Sequence, residues 1–333
     1  MKELKVTFKT LTPLWTGDAE RKNTELRETG IIGSLRWWYE ALIRGLGGNA
    51  CDPTSDKKCE LNQKEFKKAL REGKSIQNAL SELICPACQL FGCTGWSRKF
   101  ILHVLEKNGN LKTTPIQKND EIIFEFIPLK QIYDEEWALL DLTLYFIAQC
   151  GALGGKSVLK PSDEEDRENK SYHQDFGLFE IVESELDTKL KIFKKEDLKR
   201  FVKDMTPKHI NQEKYKWVSI KNFWCVDRKY LARQSIDRSS FNKVLGRNES
   251  KYHSSMNPSG KVSKWLAGQI GESKKIFSFK NPPRTFGFIN PDIIDFQGIK
   301  DRLRDAWGED NWKFLTGDEI LDPLMKEVLE GLK

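Results

Sequence analysis

The stretch 121–151, EIIFEFIPLKQIYDEEWALLDLTLYFIAQCG, decides the fold class. From Glu121 to Ile127 it is rich in β-branched and aromatic residues and reads as a strand. Asp134 then stands as a cap before a helix over Glu135 to Cys150, with Trp137, Leu140, Leu144 and Ile147 on one face. Gly151 follows its end. Upstream, Phe100 to Leu105 is a second strand, set apart by the turn residues Lys107-Asn108-Gly109-Asn110. Further upstream, Ser34 stands as an N-cap for an amphipathic helix over Leu35 to Leu46, which Gly47-Gly48 stops. Leu4 to Phe8 alternates apolar and polar residues as a strand does, and Phe176 to Val182 supplies the last one. The order is β-α-β-β-α-β, the ferredoxin-like split unit.

Two segments interrupt this unit. Residues 49–84 read as an insertion: a loop with Cys51 and Cys59, then charged helices around Glu65 to Arg71 and Ile76 to Leu83. Ser162 to Lys170, SDEEDRENK, is a charged insert with no binding role. Lys191 to Asp204 is a basic connecting helix, and Thr206-Pro207 marks a boundary. That places a first domain over residues 1–205 and a second over 206–333. In the second, Lys216 to Val226 reads as a strand with two exposed aromatics, and Ile276 to Phe279 with Thr285 to Ile289 as a strand pair. Ile299 to Trp307 and Glu319 to Leu332 read as helices. This is α+β content whose topology does not follow from pattern alone.

Composition bounds the function. The 333 residues are 31% charged and 38% hydrophobic, with 19 Phe, 10 Trp and 7 Tyr, enough for real cores and against wholesale disorder. No apolar stretch approaches the ~18 residues that span a bilayer, and the first residues, MKELKV, have no apolar signal segment. The expectation is a cytoplasmic chain with no membrane partner. Seven cysteines in such a length make no disulfide scaffold. The net charge of +6 hides an uneven distribution. Residues 206–290 hold 17 Lys and Arg against 5 Asp and Glu, a net +12, while residues 291–333 carry −5. A segment at +12 that also holds Trp217, Trp224, Tyr230, Tyr252 and Trp265 suits a polyanion whose phosphates need cations and whose bases stack on rings. Ion-pair networks would need acids that this segment lacks.

Several segments together resemble the RAMP superfamily of CRISPR effector proteins. They are Thr12-Pro13-Leu14-Trp15-Thr16-Gly17, the run Arg27-Glu28-Thr29-Gly30-Ile31-Ile32-Gly33-Ser34-Leu35-Arg36-Trp37-Trp38-Tyr39, and Cys85-Pro86-Ala87-Cys88-Gln89-Leu90-Phe91-Gly92-Cys93-Thr94-Gly95-Trp96. Residues 261–266 and 282–288 match more loosely. The resemblance implies two tandem ferredoxin-like, RRM-like domains with helical insertions. It also implies a non-catalytic place in a type III-B (Cmr) RNA-guided complex, beside other Cmr subunits, near the 3′ region of the crRNA and its target RNA. The superfamily's glycine-rich loop corresponds to Gly151-Ala152-Leu153-Gly154-Gly155-Lys156-Ser157, followed after the acidic insert by Asp175-Phe176-Gly177. Asp175 stands where a second glycine is common.

The residues give their own readings. Glycines let bare backbone N–H groups reach phosphate oxygens, with Lys156 and Lys160 adding charge; the same loop also reads as a simple helix terminator. Gly155-Lys156-Ser157 is no nucleotide-binding P-loop, because that motif requires glycine at position 150, which is Cys. Arg27 and Arg36, the latter near its helix start, can clamp phosphate; alternatively Arg36 pairs with Glu40 four residues on. Lys264, Trp265, Lys275 and Arg284 complete the expected RNA grip in a basic cleft between the domains. Cys85 and Cys88 offer two zinc ligands, and Cys51 with Cys59 can complete a structural Cys₄ site; the alternative is four reduced thiols. No cofactor is required and no catalytic residue is assigned. Two further classes remain: an endoribonuclease using His173 or His253, each beside a tyrosine, and an adaptor that binds only protein neighbours.

Overall fold

The computed structural model of the chain describes residues 2–17, 22–52, 55–155, 161–168, 170, 173–210, 215–233, 239–246, 260–268, 273–309 and 311–330. Strand β1 (Leu4–Thr10) leads to helix α1 (Glu28–Gly45) and the shorter helices α2 (Gln63–Arg71), α3 (Ile76–Ser81) and α4 (Pro86–Phe91). Strands β2 (Phe100–Glu106) and β3 (Glu121–Pro128), helix α5 (Asp134–Cys150), the single turn α6 (Glu165–Glu168) and strand β4 (Phe179–Ser184) follow. Helices α7 (Asp187–Leu190) and α8 (Lys195–Asp204) lead to β5 (Phe223–Asp227), α9 (Ser240–Leu245), α10 (Gly260–Ala267), β6 (Ile276–Lys280) and β7 (Pro283–Phe288). The chain ends on α11 (Phe296–Trp307), β8 (Phe314–Thr316) and α12 (Gly317–Glu330). No described helix is long and apolar enough to cross a membrane.

Two four-stranded sheets form, in the orders β2-β3-β1-β4 and β6-β7-β5-β8. Every neighbouring pair is antiparallel. Read from the first strand of each set, the two orders are the same, so the ferredoxin-like topology is built twice. In the first sheet Val6 lies opposite Phe124 and Leu102 opposite Phe126, which puts the apolar residues of three strands on one face. In the second, Phe286 lies opposite both Cys225 and Phe277.

Helices α1 and α5 lie between the two sheets. The inner face of the first sheet, with Val6, Phe8, Phe100 and Phe124, packs on them from one side. From the other side comes the second sheet's face bearing Phe223, Phe286 and Phe288. Trp38 of α1 sits 5.8 Å from Phe223 and from Phe286, centroid to centroid, and Phe146 of α5 sits 5.0 Å from Phe223. The opposite face of the second sheet, with Trp224, Val226 and Ile276, is covered by α9, α10 and α11 through Val244, Leu266 and Leu303. Helix α12 returns to the first core through Ile320, Leu321 and Leu324. Being sheathed on both sides, α5 buries Leu139, Leu142 and Phe146 as well as the single face expected of it.

Local departures have local causes. Helix α1 begins at Glu28, six residues before Ser34, because the segment before it is clasped: Arg27 N–H donates to Thr16 Oγ1 at 3.0 Å. Gly30 allows that approach, since a Cβ there would lie 2.6 Å from Thr16 O. Asp134 is the first helical residue of α5, and the Glu136 carboxylate accepts the Tyr133 N–H at 2.9 Å. The strand expected over Lys216 to Val226 is a short turn at Ile220–Asn222 followed by β5, and Phe223 and Trp224 are buried on its two faces rather than exposed.

Candidate RNA interface and cysteine cluster

The segments that carried the family resemblance converge on α1. Residues 12–17 lie against its start through Thr16. Arg36, midway along it, donates from Nη1 to Gly92 O at 2.8 Å, which ties α4 to the same helix. The Trp38 indole N–H donates to Ala152 O at 3.0 Å, which fixes the glycine-rich loop. Within that loop Leu153 N–H donates to Gly177 O, Gly155 N–H to Trp15 O and Gly177 N–H to Pro13 O, each at 2.8 Å. A Cβ on Gly177 would lie 2.0 Å from Leu153 O, and its φ is +90°. Here glycine serves the close approach of three backbone segments, and the amides of Leu153, Gly155 and Gly177 are spent on the carbonyls of Gly177, Trp15 and Pro13.

The predicted RNA-contacting residues do not form one groove. Lys156 and Lys160 lie outside the described residues. Arg27 is half-exposed and 3.3 Å from Glu25, a surface pair worth little to stability. Lys264 is exposed on α10. The other four have partners inside the protein. Arg36 is not at a helix start; its Nε donates to Glu40 at 2.8 Å and its Nη2 lies 3.1 Å from Cys88 Sγ. Burial pushes the Glu40 carboxyl up to about 7, against the pull of Arg36 and Arg44. Lys275 is buried, with its ammonium over the rings of Trp217 at 4.6 Å and Trp265 at 5.2 Å. That occupies Trp265, which also meets Trp217 edge-on at 5.8 Å. Arg284 is buried and donates to Ala148 O and Gly151 O, so a cation of the second domain caps the carbonyl end of α5. Among the described residues, the space expected to be a basic cleft is occupied by aromatic packing around Lys275 and Trp265 and by Arg284 on the end of α5.

Asp175 explains its own departure from glycine. Its Oδ2 accepts the N–H of Lys280 at 2.9 Å and of Asn281 at 2.8 Å, clasping the turn between β6 and β7. The start of the acidic insert docks there too: Asp163 pairs with Lys280 at 3.0 Å and accepts from the Tyr230 hydroxyl at 2.8 Å. Burial pushes the Asp175 carboxyl up to about 6 from an ordinary 3.8. A carboxyl whose folded value is raised favours folding fully below the unfolded value and loses that contribution as pH rises through about 6. Asp175→Asn keeps an acceptor and removes the charge. It is expected to flatten the pH dependence of stability between about pH 4 and 7 and to stabilise the neutral protein by up to about 3 kcal/mol. Denaturant melts across that range check it, and a slope equal to wild type would refute it.

Two arrangements were not legible in the sequence. The outer face of the first sheet carries paired charges, Lys5 with Glu125 at 3.1 Å and His103 with Glu125 at 3.2 Å, and its outward strand positions hold no Phe, Tyr or Trp. A cleft of about 550 Å³ is lined by Lys300, Arg304, Lys313, Trp312, Phe314 and Glu309. Three cations beside two rings suit a single-stranded nucleic acid. The cleft lies in the segment whose net charge of −5 concealed it. The signal that could have found it is the spacing of Lys300 and Arg304, four apart on one helix face.

Four thiols also meet. Cys51, Cys59, Cys85 and Cys88 are buried, and their sulfur atoms all lie within 4.8 Å of one another.

A family model matches residues 7–159, the span that contains the three converging segments. It is the RAMP superfamily's. Residues 7–159, a little under half of the chain, are similar to that superfamily. Among solved structures, the crystal structure of apo Cmr1 from Pyrococcus furiosus shares 11% identity over 95% of this chain and 100% of its own, with a TM-score of 0.43. A chain of the type III-B Cmr-beta complex bound to cognate target RNA shares 10% identity over 97% of this chain and 100% of its own, with a TM-score of 0.42. No curated protein matches the chain. The RAMP match stops at residue 159, before Asp175 and strand β4, so the unusual clasp lies just beyond it.

Proposed function

We propose that the chain is a non-catalytic RNA-binding subunit of a type III-B (Cmr) CRISPR effector complex. It contacts crRNA and target RNA near the guide's 3′ end, beside other Cmr subunits. The observation that carries this reading is the RAMP match over residues 7–159, on the segments that assemble around α1. The +12 excess over residues 206–290 supports a polyanionic partner. With the space between the domains filled, the RNA lies on the outside of the molecule, where Arg27, Lys264 and the Lys300–Lys313 cleft offer cations. Guide pairing reads the sequence, so the protein's own contacts are to the backbone.

Affinity for two unrelated single-stranded RNAs is expected to fall in parallel as salt rises, measured by filter binding. Lys264→Glu or Lys313→Glu is expected to weaken both RNAs alike. Each is expected to lower the slope of log K against log salt by about 0.7 per lost phosphate contact, with little change in melting temperature. Absence of RNA binding at low salt would favour the protein-only adaptor. Cleavage of the RNA that is lost in His173→Ala would favour the nuclease.

A further inference from the structure

We infer that Cys51, Cys59, Cys85 and Cys88 bind one zinc ion in a closed, structural, all-thiolate site. The distances fit a metal and not a bond. Cys51 Sγ lies 3.4 Å from Cys88 Sγ and 3.8 Å from Cys85 Sγ. Zinc–sulfur bonds of about 2.3 Å in a tetrahedron set the sulfurs about 3.8 Å apart, whereas a disulfide needs about 2.05 Å. Among the described residues no oxygen or nitrogen ligand joins the set, and all four cysteines are buried, which fits a closed structural site.

The surroundings are those of anionic sulfur. Four thiolates around a divalent ion carry a net charge of −2, and a guanidinium faces them: Arg36 Nη2 is 3.1 Å from Cys88 Sγ and 4.0 Å from Cys51 Sγ. Cys85 N–H points at Cys59 Sγ at 3.4 Å. Neutral thiols are weak acceptors and give a half-buried arginine little reason to turn toward them. Arg44 holds the loop from behind, donating to Ala50 O at 3.0 Å and Cys51 O at 3.4 Å.

The insertion also needs such a tie. Helix α2 buries only Ala69, and α3 only Ala79 and Leu80. That is too little apolar surface to order the segment alone, the situation in which a structural metal replaces a core. The proposed ligands sit at both ends of the insertion, Cys51 and Cys59 before α2, Cys85 and Cys88 after α3. Thiolates are formed on binding, so each coordinated Cys releases its proton as the metal–sulfur bond forms, with no change of oxidation state.

The test uses the full chain purified without chelator. Metal analysis is expected to find one zinc per chain, released in step with mercurial titration of the four thiols. Reconstitution with cobalt is expected to give a sulfur-to-cobalt charge-transfer band and the strong visible bands of a tetrahedral ion. Cys93→Ser, at a half-exposed neighbour outside the set, should keep the metal. Cys59→Ser and Cys88→Ser should lose it. Arg36→Gln should keep tetrahedral cobalt spectra while weakening zinc by about 10–100-fold in chelator competition. If the variants fail to fold, the wild-type cobalt spectrum still decides. Four reduced thiols that titrate with no metal release and no cobalt band, or metal lost on Cys93→Ser and kept on Cys59→Ser, would overturn the assignment.

Discussion

Trp38→Ala is expected to lower folding stability by about 3–5 kcal/mol and to split one cooperative denaturation into two steps. Its indole is buried among Phe146, Phe223, Phe286 and Phe288, which come from both halves of the chain. Removing it opens a cavity at the contact between α1 and the second sheet, and it leaves Ala152 O without its donor. The loss falls on the joint between two folding units, so the second should melt ahead of the first. Trp38→Phe keeps a ring and forfeits the hydrogen bond, about 0.5–1.5 kcal/mol, with the single transition retained. Denaturant melts followed by far-ultraviolet circular dichroism would decide it. A single transition with less than about 1 kcal/mol lost on Trp38→Ala would show that the joint is held elsewhere.

The second large effect concerns the buried pair of Lys99 and Glu136. Lys99 Nζ is 2.7 Å from each carboxylate oxygen, and both side chains are almost wholly buried. Lys99→Met is expected to cost about 3–5 kcal/mol, because it strands a carboxylate in a low-dielectric interior. Burial already raises the Glu136 carboxyl against the pull of Lys99. Without that cation its folded value rises further above its unfolded one, so the deficit should be small in acid and grow as pH rises. Lys99→Met with Glu136→Gln removes both charges and keeps an acceptor for the Tyr133 N–H, and should recover most of the loss. If the double variant is no more stable than Lys99→Met, packing rather than charge explains the effect.

The parts of the fold that could be read in advance are those whose pattern is local. Strands β1, β2 and β3 and helix α5 follow from alternation and helical periodicity, and their order defined the first ferredoxin-like unit. The second unit was opaque for physical reasons. Strand β8 is three residues long, and β5 is buried on both faces, so it shows no alternation. The site was legible to a different degree. The four cysteines were named from spacing alone, and the structure brings those four together. The cations were less legible, because residue type does not say which way a side chain turns: Lys275 and Arg284 have partners far away in sequence, whereas Arg36 makes the Glu40 pair that was its alternative reading. A long-range carbonyl such as Ala148 O leaves no local signature.

The second sheet's aromatic face has a further consequence. In RRM-type folds the free sheet face is the reading surface, where rings stack on exposed bases. Here Phe223, Phe286 and Phe288 are committed to α1 and α5. The two halves consequently share one aromatic core across α1 and α5. On the proposed RNA-binding role, a strand that touches both halves would meet them at one set separation.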